Sequence, residues 1–164
     1  EPADPKLQTT IFNGFELRAA VAPYTGGGYM HTTDDRTPVT FITRYYLDKI
    51  KRLCDAHGTK LLFVTAPSPV NHTMQRHNEV QALADALAVP YLDLNLNTEE
   101  LGIDWNLDTL DGGDHLNYTG CQKATAYLQR YMQTHYTLPD RRKDARYETW
   151  NKRAAEFEKL LPQT

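Results

Sequence analysis

Apolar residues recur at helical spacing in four stretches of the chain, and two short runs between them carry no such period. Thr37-Pro38 marks a helix start, with the threonine as cap and the proline in the first turn. Ile42, Tyr46, Ile50, Leu53, Cys54 and His57 follow on one side, and Gly58 stops the element. The run from Lys60 to Ala66, closed by Pro67, predicts a strand buried on both faces of a parallel sheet. Val80, Leu83, Ala84 and Leu87 then define an amphipathic helix, and Val89 to Leu94 a second strand. Thr119 followed by Gln122 reads as a capping box. It predicts a helix from near Gly120 to near Tyr136, with Cys121, Ala124, Leu128 and Met132 on its apolar side. Leu138-Pro-Asp turns the chain, and Tyr147, Trp150, Ala154, Phe157 and Leu161 mark a last amphipathic helix, its stripe core or docking surface.

Helix, strand, helix, strand, helix is a doubly wound α/β order. Residues 1–36 are weakly patterned, with prolines at 2, 5 and 23, a short apolar segment from Ile11 to Leu17, and Gly26-Gly27-Gly28. No Gly-Lys-Ser/Thr follows the glycines, so they predict a loop rather than a phosphate cradle. The chain is thus read as a loop-rich segment over 1–36, an α/β portion over 37–140 and a C-terminal helix over 141–164.

At 164 residues one domain is the default, and no apolar run reaches the length of a membrane span. A net charge of -3 argues against nucleic acid as the main partner. Arg141-Arg142-Lys143 is short and reads as a solvated helix approach. The two cysteines, Cys54 and Cys121, fit small buried hydrophobes and leave their pairing open. Glu1-Pro2 reads as the start of a piece excised from something longer.

Candidate chemistry lies in Asp111-Gly-Gly-Asp-His115, just ahead of the helix near Gly120. A carboxylate beside a histidine is the base-and-orienter half of a hydrolase triad, and both Asp111 and Asp114 are available, with Asp111 favoured. In a doubly wound sheet this loop and the one after Ala66 would share the edge where such folds bind ligands. The plain alternative is an acidic surface turn. Ser68 is the only serine and a possible nucleophile, but it sits between prolines without a Gly-x-Ser-x-Gly elbow. Asp104, Asn106 and Asp108 imitate a calcium loop, yet Thr109 stands where glycine is required. His57 reads as a helix C-terminal residue, and His72 and His77, five apart, as exposed loop histidines rather than zinc ligands.

Asp-His-Leu-Asn at 114–117 with Gly120, Lys123, Thr125, Tyr127 and Leu128, together with Leu62–Pro67 and Pro90–Asp93 as preceding strands, resembles the SGNH (GDSL-type) hydrolase superfamily. The resemblance is to cell-surface members associated with membrane-bound O-acyltransferases, and it spans about residues 37–140. It implies a three-layer α/β/α, flavodoxin-like parallel sheet, not all of whose strands are legible here, with an extra C-terminal helix. It also implies an esterase or O-acetyltransferase acting on acylated carbohydrate or another small ester at the cell surface, with His115 as general base and no cofactor or metal. Two departures stand out. The position three before His115, where the family places its aspartate, is Gly112, and the Gly-Asp-Ser block that carries the nucleophile has no counterpart. A non-catalytic α/β carbohydrate-binding or assembly module is the competing expectation.

Overall fold

A computed structural model of the chain describes residues 14–161. It is a mixed helix and strand structure and divides into two compact units, Ala19–Leu128 and Glu1–Arg18 with Gln129–Thr164. The prolines at 2 and 5 and the start of the Ile11–Leu17 segment lie outside the described residues; its described part, 14–17, is neither helix nor strand.

In the first unit, α1 (Phe41–Ala56) begins later than Thr37-Pro38 predicts. Thr40 is the cap, its hydroxyl accepting from the Thr43 N–H. Pro38 is spent in the preceding segment, where the Thr37 and Val39 N–H groups bond the Gln75 carbonyl and Glu79 of the next helix. β1 (Phe63–Thr65) is followed by α2 (Met74–Leu87), capped by Thr73 and closed by Ala88 in the left-handed region. β2 (Tyr91–Asp93) returns parallel to β1, pairing Phe63 with Tyr91 and Thr65 with Asp93. A 3-10 turn at Leu94–Asn97, a short α3 (Thr98–Leu101) and the loop 102–117 lead into α4 (Tyr118–His135), whose residues from 129 on belong to the second unit.

Leu83, Ala84, Val89, Leu92, Leu94 and Leu101 form the buried apolar core, where α2 lies on β2 and the turns that follow it. The strand over 60–66 departs from expectation. It is three residues long, and Val64 is 41% exposed, because β1 is hydrogen-bonded to β2 on one edge alone among the described residues. α1 is amphipathic yet buries no residue. Phe41, Ile42, Tyr46, Ile50 and Leu53 all remain exposed.

Residues 19–36 are loop in form but anchored. Ala22 and Tyr24 donate to the carbonyls of Thr109 and Trp105, and the Ala22 carbonyl accepts from Gly112. The glycine-rich turn lines a cavity of about 400 Å³ with Tyr24, Tyr29 and Trp105.

The second unit contains the end of α4, a 3-10 turn at Ala145–Tyr147 and α5 (Glu148–Glu158). α5 buries no residue; Phe157 meets Phe15 edge-on at 5.5 Å, while Trp150 and Leu160 stay exposed. Both cysteines are free and half-buried rather than fully enclosed.

Candidate functional site

The loop Leu110–His115 is closed at its neck by backbone. Leu110 donates to the His115 carbonyl, Asn117 donates to the Asp108 carbonyl, and Thr109 bridges Leu116. Such a narrow loop must turn sharply. Gly112 and Gly113 supply this, at φ +75° and +100°, conformations that side chains rarely adopt. The Gly113 N–H is tied to the buried Thr109 hydroxyl at 2.6 Å. Gly113 also lies so close beneath Tyr24 that a Cβ there would stand 2.7 Å from the ring.

This turn brings Asp111 back onto His115. One carboxylate oxygen accepts the His115 N–H at 2.7 Å, and the other meets Nδ1 at 2.7 Å. Asp114 Oδ2 stands 3.7 Å from the same nitrogen, so in a loop this tight a sequence-adjacent acid does not point away. Its other oxygen accepts from the Asn71 amide. Asp111 is therefore the acid that fixes the imidazole, and Asp114 adds charge beside it. The hydrogen bond from Asp111 and the negative charges of Asp114 and Asp111 push His115 above its usual value. The His115 hydrogen bond in turn holds Asp111 below the usual carboxylate range. The pair is open to water: the His115 side chain is 67% exposed. One ligand atom from each of Asp111, Asp114 and His115 lies within 4.8 Å of the others, a spacing that could hold a cation.

Ser68 lies in the loop after β1 and reaches the same place by a different contact. Its hydroxyl donates to the Asp114 carbonyl at 2.8 Å and accepts from the Asn71 N–H, while its own N–H donates to Asn95. The two loops expected to share a sheet edge thus meet. The serine proton, however, is directed at a backbone carbonyl rather than an imidazole.

The remaining motif residues are structural. Asn117 is fully buried: its amide donates to the Leu107 and Ala20 carbonyls, and its oxygen accepts from the Gly120 N–H as a helix cap. This corrects the capping-box reading. The Thr119 hydroxyl instead donates to Asn117 and Asp108, and Gln122 bonds Tyr118. Lys123 donates to buried Asp108 at 2.5 Å. Burial would raise Asp108, but the bonds from Lys123, the Asp104 backbone and Thr119 outweigh it and lower its pKa. Asp108 is thereby spent on the fold.

Sequence reasoning missed a second constellation. His72 and His77 are not exposed loop histidines. His72 is 6% exposed, and His72 Nε2 and His77 Nδ1 each lie 2.8 Å from Oδ2 of buried Asp93, at the end of β2. The Tyr91 hydroxyl donates to that oxygen, and Asn95 donates twice to Oδ1. Burial pulls the Asp93 pKa up, but the bonds from His72 and Asn95, with a coulombic contribution from His72, hold it well below the ordinary carboxylate range. The signal was hidden by a cap. Thr73 separates His72, in the turn, from His77, in α2, so a spacing of five is not a helical spacing here.

Asn95 joins the two constellations: its oxygen accepts from the Ser68 N–H and the Tyr29 hydroxyl, while its amide holds Asp93 and the Ala66 carbonyl. No described helix is long and apolar enough to cross a membrane. Set against protein-family models, curated proteins and solved structures, the chain gives no match.

Proposed function

We propose that this chain carries the base half of a serine acyl-transfer site, acting as an SGNH-like esterase or O-acyltransferase on acylated carbohydrate at the cell surface. The observation that carries the reading is the two-pronged Asp111 carboxylate, which grips both the backbone N–H and Nδ1 of His115. A ring held that way donates from Nδ1 and leaves Nε2 to take a proton from a nucleophile. Ser68 is a poor candidate for that nucleophile because of its bond to Asp114. In this reading the serine and further strands of a three-layer α/β/α sheet are supplied from outside these 164 residues. Exposed Val64 on a one-sided strand and the uncovered apolar face of α1 support that incompleteness. A membrane-bound O-acyltransferase is the acyl donor's source in the same proposal.

A fluorophosphonate probe applied to the protein in its full-length context tests it. Covalent labelling that His115→Ala abolishes supports the reading, and a folded protein that never labels removes it. The competing reading, a non-catalytic carbohydrate-binding module, draws on the cavity lined by Tyr24, Tyr29 and Trp105, since aromatic faces of that kind pack against sugar rings.

A further inference from the structure

β1 has one hydrogen-bonded edge and one bare edge. Phe63 donates to the Pro90 carbonyl, and the register sets Phe63 beside Tyr91 and Thr65 beside Asp93, so the peptide groups of Phe63 and Thr65 face β2. Successive peptide groups of a strand point to opposite edges, and those of Val64 therefore point away from β2. Neither its N–H nor its carbonyl has a partner among the described residues.

α1 stands along this bare edge. The side chains of Thr65 and Tyr91 lie on the face that α2 covers: their hydroxyls meet at 2.9 Å, and the Tyr91 ring stacks on His77 of α2. α1 is tied to the same layer through the Thr37 and Val39 N–H groups on Gln75 and Glu79, and through the Arg44–Glu79 pair. Residues 37–39 share a cavity wall with Thr65, so the helix starts by the end of β1, and the turn at Gly58 leads back to the start of the strand. Packed helices stand about 8–10 Å apart and paired strands about 4.8 Å. With α2 on β2, a helix next to it on the β1 side overhangs the bare edge.

The side of α1 opposite Arg44 carries Phe41, Ile42, Tyr45, Tyr46, Ile50 and Leu53, each between 45% and 79% exposed. Together they leave on the order of 700 Å² of side chain uncovered, beyond the roughly 300–600 Å² of a monomer's largest patch and near the about 800 Å² per partner of a stable interface.

We propose that this berth takes a β-strand of the full-length protein, whose backbone pairs with Val64 and whose alternate apolar side chains fill the space under α1. This rests on the reading above, in which further strands are supplied from outside the chain. The two features select the occupant together. A helix would cover the apolar face and leave the Val64 peptide groups unpaired, and a polar strand would pair the edge and leave the face wet. A second copy pairing β1 with β1 about a two-fold axis would drive α1 into its symmetry mate, because the helix overhangs the place the partner's strand would take.

Amide exchange followed by NMR in the 164-residue chain and in the full-length protein tests this, with Thr65, whose peptide faces β2 in both, as internal reference. In the 164-residue chain Val64 should exchange at least about tenfold faster than Thr65, and in the full-length protein the two should exchange at similar rates. Tyr46→Glu, at an exposed position, should leave exchange in the 164-residue chain unchanged and restore fast exchange at Val64 in the full-length protein. The two unaltered proteins carry the comparison by themselves if that variant does not fold. Val64 equally open in both proteins, or still protected in full-length Tyr46→Glu, would overturn the proposal. So would protection of Val64 in the 164-residue chain that grows with its concentration, which would put a second copy on the edge. Fluorophosphonate labelling is a separate readout: a full-length protein that protects Val64 and never labels keeps the strand and loses the serine, while one that labels with Val64 open loses the strand alone.

Discussion

His72 and His77 donate to the same carboxylate oxygen, Asp93 Oδ2, although one belongs to a turn and the other to the helix that follows it. A buried carboxylate with this many donors is a strong constraint, because removing it leaves two imidazoles, a phenol and an amide facing one another without an acceptor. Asp93→Ala should cost about 3 kcal/mol or more, measured by urea denaturation. A loss within about 0.5 kcal/mol would mean that the cluster is solvated and not a constraint.

The same carboxylate sets an acid limit. Its pKa in the fold lies below that of an unfolded aspartate, about 4, so its contribution is fully present above that value. As pH falls through about 4 towards the depressed folded value, the contribution is lost. The midpoint of urea unfolding should therefore fall with pH below about 4, and this dependence should flatten in Asp93→Ala.

His115 works in the opposite direction. Its pKa is raised in the fold, so the bond to Asp111 stabilises below the free-histidine value of about 6.5 and the benefit is lost as pH rises through the folded value. At this exposure the effect on stability is small. The titration itself is the sharper readout. Carbon-detected NMR should place the His115 midpoint above about 6.5, and Asp111→Asn should bring it down. If His115 is a general base, the rising limb of the pH–rate profile moves down with it.

Element identities were legible because each apolar stripe has its own period, and α1, α2 and α4 lie where Ile50, Leu83 and Ala124 place them. Ends and burial were less so. Thr37 and Thr119 have the right side chains for caps, but tertiary bonds to Gln75 and Asp108 claim those positions, and the nearby Thr40 and Asn117 do the capping. The Asp111–His115 contact was readable from two glycines in a short loop. The Asp93 cluster was not, since it depends on β2 ending beside the start of α2, a relationship across 21 residues that no local pattern announces.

Gly120 tests the packing under the candidate site. A Cβ there would stand 2.4 Å from the Asp108 carbonyl oxygen, a backbone atom that cannot swing aside. Gly120→Ala should destabilise by about 1–3 kcal/mol despite alanine's better helix propensity, as read by thermal unfolding. Gain of stability would show that the Asp108–Asn117 neck is free to move.

Ser68 separates the two roles a lone serine can have here. As a staple, its hydroxyl ties the loop after β1 to the Asp114 carbonyl, and Ser68→Ala should lose about 1 kcal/mol of stability without touching chemistry. As a nucleophile, it would have to release that bond and find His115, whose ring is held by Asp111. The triad needs its nucleophile beside the base, and loss of any member forfeits most of the rate. These 164 residues alone should therefore not turn over an acetylated chromogenic ester, and Ser68→Ala should match the unaltered chain in that assay. Robust turnover abolished by Ser68→Ala would make Ser68 the nucleophile and overturn the view that the serine comes from elsewhere.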